Sequence, residues 1–431
     1  MPGRKTLIVV PTLGVLALGS VIFVRAALDP ARPYQKDCNA GKAKSCLALG
    51  RMYDTGALLR EDKAKALDLY HKAFGLYRKA CEGGEAKGCY NLASMYAWGL
   101  GVPRDAREAS ERFRKSCEAG QAIGCFGLGW MYAYGRGVPR DAVRAAGLFQ
   151  DSCNHGDAKA CAYLGGLYAS GSGVPQDGAQ AVTLYRKACD AGDAEGCAEL
   201  GYQYFQGQGV PKDEARALDL IRRSCRDGDA HGCAYLGWMY DVGRGVKKDY
   251  SAAVGFYQKS CDGGYVVGCT YLAHMYADGA GVSEDDAKAA RLYLRACDAG
   301  DSRGCYQLGR LYASGSRSCP RIRLFSRCIE KDPAQAVIFL RKACDLAEPK
   351  ACAELAGIYR LGDTGVPKDG ALAFQFLGKA CDAGHAGACN KLAGMYAAGD
   401  GVPRDDAKAI ILYRRACNSG DASACGDFSS R

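Results

Sequence analysis

Histidine is scarce in this chain. There are five in 431 residues (His71, His155, His231, His274 and His385), scattered and without any His-x-His pair. A catalytic zinc needs three protein ligands gathered at one point, so this scatter argues against a zinc hydrolase. No serine has a lysine three residues on, which removes the nucleophile element of serine β-lactamases. No Gly-rich phosphate loop follows a strand pattern, and no low-complexity tract breaks the chain. A one-sided charge is also lacking. Lysine and arginine number 57 against 47 acidic residues, and the formal +10 falls to +7 without Arg4, Lys5 and Arg25. That excess gives no support for a nucleic-acid partner.

Cysteine, by contrast, is abundant and rhythmic. Cys81, Cys117, Cys153, Cys189, Cys225, Cys261 and Cys297 fall 36 residues apart, each followed eight residues later by Cys89, Cys125, Cys161, Cys197, Cys233, Cys269 and Cys305. The beat resumes at Cys38 with Cys46, Cys344 with Cys352, Cys381 with Cys389 and Cys417 with Cys425, using 22 of the 24 cysteines. A fixed period of this size marks a repeat array, in which each unit buries its apolar face against its neighbours. Structural zinc prefers two to four residues between ligands and four converging ligands. Seven intervening residues without histidine partners fit disulfides better, and disulfides imply an oxidising compartment. No metal and no cofactor are expected. With its thiols paired, the chain also lacks a cysteine nucleophile.

The first 28 residues read as a signal peptide or an uncleaved N-terminal anchor. Arg4 and Lys5 precede an apolar run from Thr6 to Val24, and small residues flank Arg25 where a signal peptidase reads. Nineteen residues also suffice to span a bilayer, so contact with a membrane is expected only through residues 6–24 if they are retained. Cleavage and export are preferred, to the periplasm or outside the cell. The alternative is the mitochondrial intermembrane space, although the leader is apolar rather than amphipathic and arginine-rich.

Residues 29–431 repeat one template. In Gly156–Cys189, Gly156 terminates a helix and Asp157 caps the next. Helix A carries Leu164, Leu167 and Tyr168 at i, i+3, i+4 and ends at Gly171. Gly173-Val174-Pro175-Gln176-Asp177 supplies a turn and a second acidic cap, and helix B carries Ala181, Leu184, Tyr185 and Ala188. Three residues after each second cysteine from Cys46 to Cys389 stands a leucine, four after it Gly or Ala, and seven after it a tyrosine, as in Leu236, Gly237 and Tyr240. The tyrosine is expected to pack rather than react. The fold class is therefore all-α. His155, His231 and His385 are expected in inter-helix turns at the surface.

Two breaks stand out. Cys46 to Cys81 is seven residues longer than the template, which predicts two extra turns on helix B. A larger insertion at 315–331 holds Cys319 and Cys328, expected to bridge, and the basic residues Arg317, Arg321, Arg323 and Arg327. This loop is a candidate contact for an anionic surface or partner.

These residues resemble the Sel-one-like repeats (SLR), a branch of the tetratricopeptide superfamily. The cysteine pairs with seven intervening residues are similar to those of the cysteine-rich secreted proteins first described from Helicobacter. The resemblance implies a right-handed αα solenoid of about ten repeats, each stapled by a disulfide, with helix A lining a concave face. Positions two, five and nine after the second cysteine vary and would share that face: Trp98, Trp130, Tyr134, Tyr163, Glu199, Tyr202, Tyr235, Trp238, Tyr271, His274, Gln307 and Arg310. Aromatic and polar groups along a groove suit a protein or peptide ligand, or a cell-wall glycan. A scaffold without catalytic residues is the preferred reading. The resemblance also implies the alternative of a penicillin-binding protein or β-lactamase.

Overall fold

The computed structural model describes residues 30–56, 58–316, 328–363 and 365–429. The leader lies outside the described residues, as do Cys319, Arg317, Arg321, Arg323 and Arg327 of the insertion. Among the described residues there are 22 helices and no strand, only one isolated bridge between Asp363 and Val366. The chain divides into two compact units, residues 1–177 and 178–431, each a succession of helix pairs. No helix among the described residues is long and apolar enough to cross a membrane.

Most helices are 13 residues long because the same signals start and stop them. In the repeat Ala122–Tyr134 (A) and Ala142–Asn154 (B), helix A ends at Gly135 with φ +64°. That left-handed conformation is one a glycine adopts without strain. Helix B starts at Asp141, whose carboxylate accepts from the Arg144 amide at 3.0 Å. The Asp141 amide in turn donates to the Tyr132 carbonyl at 3.0 Å. The same backbone bond joins Asp213 to Tyr204 and Asp405 to Tyr396. The periodic tyrosine thus ties the A–B turn at its backbone. Its hydroxyl accepts from a cation on a B helix, as from Arg186 at Tyr204 (3.1 Å) and Arg341 at Tyr359 (2.7 Å).

The open end of three hairpins is closed by a serine. Ser116, Ser152 and Ser260 are fully buried on the last turn of their B helices. They donate to the first carbonyl of the preceding A helix, at Ala86, Ala122 and Ala230, over 2.6–2.8 Å. A buried hydroxyl without such an acceptor would cost about 1–3 kcal/mol.

Eleven disulfides then link successive hairpins. In unit 1 they are Cys38–Cys46, Cys81–Cys89, Cys117–Cys125 and Cys153–Cys161. In unit 2 they are Cys189–Cys197, Cys225–Cys233, Cys261–Cys269, Cys297–Cys305, Cys344–Cys352, Cys381–Cys389 and Cys417–Cys425. In each the first cysteine lies in the last turn of B and the second in the first turn of the next A. Their Cα atoms are 4.4–4.8 Å apart. The remaining expected bridge, Cys319–Cys328, involves a residue outside those described.

Several corners keep the bridge without the aspartate cap, at Lys42, Glu85, Gln121 and Tyr265, and two more depart from the template in other ways. Ahead of Cys352 the left-handed residue is Ala347 (φ +63°) instead of a glycine, and Pro349 opens the helix without a side-chain cap from Glu348. Ahead of Cys389 the cap is His385 instead of an aspartate. The Cα separations there, 4.8 and 4.6 Å, match the other corners, so the covalent link tolerates these changes. The extended B helix runs from Lys63 to Glu82, 20 residues, so the predicted two extra turns are present.

Packing explains the rest of the template. Leu49, Leu92, Leu164, Leu236, Leu272 and Leu308 are all nearly or fully buried. The small residue beside each leucine faces a large side chain on B. A Cβ on Gly237 would come within 2.7 Å of the Tyr257 ring, and one on Gly129 within 2.8 Å of Phe149. Between repeats, the second glycine of the turn sits on the start of the preceding B helix. Gly137 lies against the Ala106 carbonyl and Gly281 against Tyr250, with no room for a side chain. Within the units, successive A helices also touch directly, Ala194–Gln206 with Ala230–Val242 and the latter with Val266–Asp278.

Replacing Cys225 and Cys233 together by serine should lower stability by about 2–3 kcal/mol, the loop entropy of a nine-residue closure. Urea denaturation with the other bridges intact measures this; an unmoved midpoint would show that packing alone holds the corner. Alanine in place of a helical glycine usually stabilises by up to about 1 kcal/mol. Gly255→Ala, which meets nothing within 4 Å, should follow that rule. Gly237→Ala should instead destabilise by about 1–3 kcal/mol through overpacking against Tyr257.

Candidate functional site

The varying A-helix positions gather in three hollows. One, in unit 1, places Trp98, Trp130 and Tyr163 around Phe126, with Lys159 at its edge. Tyr134 does not line it but packs on Trp130 with ring centroids 4.9 Å apart. Trp98 is two-thirds exposed. The other two lie in unit 2. One is polar, with His274, Gln307 and Arg310 beside Asp278, Asp286 and Tyr293. There His274 Nδ1 stands 3.0 Å from the Tyr293 hydroxyl. Arg310 is engaged by Glu354 at 3.6 Å.

The third hollow is the most aromatic. It encloses about 250 Å³ between three successive A helices, Ala194–Gln206, Ala230–Val242 and Val266–Asp278. Tyr202, Tyr235, Trp238 and Tyr271 line it as the spacing foresees, together with Phe205, His231 and Tyr265. Tyr202 stacks on Tyr235 at 5.3 Å, and Phe205 meets Trp238 edge-on at 5.2 Å. Such arrangements are the favourable ones for aromatic pairs and give the walls a defined shape. Leu236 and Met239 on the middle helix are buried in the core, which fixes which face of that helix the rings occupy.

His231 departs from expectation. It is the second residue of helix Ala230–Val242, not a surface turn residue, and its ring lies between Tyr235 (4.4 Å) and Tyr265 (4.8 Å). His155 and His385 do sit at turns, His385 capping its helix through the Ala388 amide. Phe205 and Tyr265 also escaped the spacing argument, yet both carry a signal. Phe205 stands where other repeats have Ala97, Ala133, Ala169 and Ala277. Tyr265 stands where Asp157, Asp193, Asp229 and Asp301 cap their helices; its own helix has no side-chain cap, as is also the case at Lys42, Glu85, Gln121 and Glu348. Losing a cap costs about 1 kcal/mol. The Phe205 and Tyr265 side chains both line the same hollow.

Glu199 does not line the cleft but lies behind it. Its Oε1 is 3.5 Å from His231 Nδ1, and both side chains are three-quarters buried. Burial first, then the charges of Glu195 and Asp229, pushes the Glu199 carboxyl up to about 7. Burial lowers His231, partly opposed by Asp229, so at neutral pH its imidazole is uncharged. Among the described residues no group of three His, Cys, Asp or Glu side chains could hold a metal ion.

A carboxyl raised above its unfolded value disfavours the folded state increasingly as pH climbs from about 4.5 to 7, with the full effect above that. Glu199→Gln should therefore stabilise the protein by about 2–3 kcal/mol at pH 8 and leave it unchanged at pH 4. Urea melts of both proteins at the two pH values measure this difference.

Comparison with known proteins agrees with this architecture. The Sel1 repeat family model matches ten consecutive segments, residues 43–85, 86–121, 122–157, 158–193, 194–229, 230–265, 266–301, 302–347, 349–385 and 386–421. Among solved structures, c5321, a protective antigen of uropathogenic Escherichia coli displaying an SLR fold, is 28% identical. The match covers 93% of this chain and 82% of that one, with a TM-score of 0.50. A Sel1 repeat protein from Oxalobacter formigenes is 29% identical over 59% of this chain and 99% of its own, with a TM-score of 0.49. Helicobacter pylori cysteine rich protein B is 32% identical over 32% of this chain and 96% of its own, with a TM-score of 0.26. No curated protein matches the sequence. The ten segments take in A and B helices of both units, and the chain belongs to the Sel1 repeat family.

Proposed function

We propose that this disulfide-stapled repeat scaffold binds an extended segment of a partner protein in the aromatic cleft of unit 2. The observation that carries the reading is the convergence of Phe205, His231, Tyr235, Trp238, Tyr265 and Tyr271 on one 250 Å³ hollow. Tyrosine and tryptophan supply large rigid contact area at little entropic cost and dominate binding energy where proteins meet. The rings come from three different repeats, so an occupant running across them would touch each in turn. Eleven bridges require an oxidising compartment. Together with the apolar leader, that supports a workplace outside the cytoplasm, in the periplasm or beyond the cell.

The alternative of a β-lactam hydrolase gains nothing from these residues. The sequence offers no Ser-x-x-Lys element, and the cleft presents no activated hydroxyl.

Panning a random-peptide phage library on the full chain tests the docking reading. Binders selected against the native protein should lose at least about 30-fold in affinity, about 2 kcal/mol, on Trp238→Ala or Tyr271→Ala. Circular dichroism should show helix content unchanged in both variants. Peptides that bind these variants as well as the native chain, or an absence of binders, would overturn it.

A further inference from the structure

The cleft pairs rings with a nearby carboxylate that, among the described residues, no lysine or arginine answers. Glu199 has His231 as its polar neighbour, and His231 is neutral near pH 7. The charges nearest to it, Glu195 and Asp229, are also negative. Two acidic groups elsewhere in unit 2 do meet cations: Glu354 pairs with Arg310 at 3.6 Å, and Glu214 with Lys212 at 2.9 Å and Arg244 at 3.2 Å. Lys212 and Arg244 do lie over Phe205, at 5.7 and 6.0 Å, but Glu214 already holds both. The hollow thus combines the negative faces of Tyr202, Phe205, Tyr235, Trp238, Tyr265 and Tyr271 with an unanswered acid behind His231.

We infer that the cleft selects a basic side chain, with arginine favoured over lysine, whose stem packs on the rings and whose charged head lies toward Glu199. This deepens the docking reading above and rests on it for the segment that carries the side chain. A cation over Trp or Tyr faces gains from the ring quadrupole, and gains most where water is excluded. Arginine adds planar stacking on the ring faces, which a lysine ammonium cannot make. A neutral apolar side chain would use the rings but leave Glu199 further desolvated and uncompensated. An acidic one would meet Glu199, Glu195 and Asp229 together. Arginine and lysine satisfy both halves of the site.

The pH dependence has a definite sign. The titratable groups facing Glu199 are Tyr185 on the preceding B helix, Glu195 on its own helix, Asp229 and His231 at the start of the next A helix, and Tyr235 and Tyr265 beyond. The tyrosines are all raised and stay neutral. Ionising Glu199 as pH climbs through about 7 should therefore tighten a cation. Acidification should loosen it, first by protonating Glu199 and then by charging His231.

Two readouts test this. The first uses Trp98→Phe with Trp130→Phe, both outside this cleft, which leaves Trp238 as the sole tryptophan. Arginine amide should then shift Trp238 emission saturably, with norvaline amide at least fivefold weaker. Affinity should rise at least threefold from pH 6 to pH 8 and lose that slope in Glu199→Gln. The second sequences the cleft-dependent phage peptides. Arginine or lysine enrichment, with at least a fivefold loss on Glu199→Gln, supports the inference. Cleft-dependent peptides without basic residues, indifferent to Glu199→Gln, would overturn it while leaving the docking reading intact. If no peptide binds, docking fails and the amide titration decides alone: no saturable shift, or an equal one with norvaline amide, overturns the inference.

Discussion

The covalent corner between each B helix and the next A helix is the constraint on which this architecture depends. Neither helix of a repeat can bury its apolar stripe alone, and 13 residues make a helix too short to persist in isolation. The bridge holds the last turn of one hairpin against the first turn of the next, within 4.8 Å between Cα atoms. Around that fixed point the other contacts fall into place. The leucine reaches the core, the adjacent glycine admits a B-helix ring, and the tyrosine carbonyl receives the amide of the aspartate cap. A corner held by covalent bonds is also held under conditions that loosen hydrophobic packing.

Because so few positions per repeat maintain the stack, the remaining A-helix positions are free to differ. That freedom is visible in the three hollows, which share a backbone and differ in chemistry. The hollow in unit 1 is built on two tryptophans, one in unit 2 is polar and ion-paired, and the third is lined by rings, with the Glu199 carboxyl behind its His231. Glu199 lowers the stability of the fold as pH rises toward and above 7, since burial raises its carboxyl to about 7.

Nearly all of the fold was legible because the repeat states its rules many times over. The cysteine spacing gave the pairing, including Cys344–Cys352 and Cys381–Cys389, where the turn residues between the cysteines differ from the template. The Gly-x-Gly-Val-Pro turns gave the helix ends, and the extra seven residues before Cys81 appear as two more turns of Lys63–Glu82. The site was legible only in part. Helical spacing brought out Tyr202, Tyr235, Trp238 and Tyr271, since side chains three and four apart share a face. It missed Phe205 and Tyr265, which occupy positions the template reserves for a small residue and a cap. His231 was misread because its sequence neighbours Gly228 and Asp229 look like a turn. The turn ends two residues earlier, and the imidazole is drawn in between two tyrosine rings. Comparing each repeat with its siblings, position by position, would have exposed Phe205 and Tyr265. One partner ring, Tyr235, lies four residues on in the same helix, and the other, Tyr265, lies just before the next A helix.

The corner bridges have one further consequence, for chain integrity. A protease that cuts at Gly156, Gly192 or Gly228 severs the backbone inside a loop closed by its own disulfide. Cys153–Cys161, Cys189–Cys197 and Cys225–Cys233 would still join the two sides. Such nicks leave the array in one covalent piece, with both helices at the corner still facing each other. Only the turns between A and B, the Gly-x-Gly-Val-Pro type among them, expose a peptide bond whose loss divides the molecule. Half of the inter-helix connections are thus insensitive to cleavage by construction, a form of damage tolerance built into the covalent pattern.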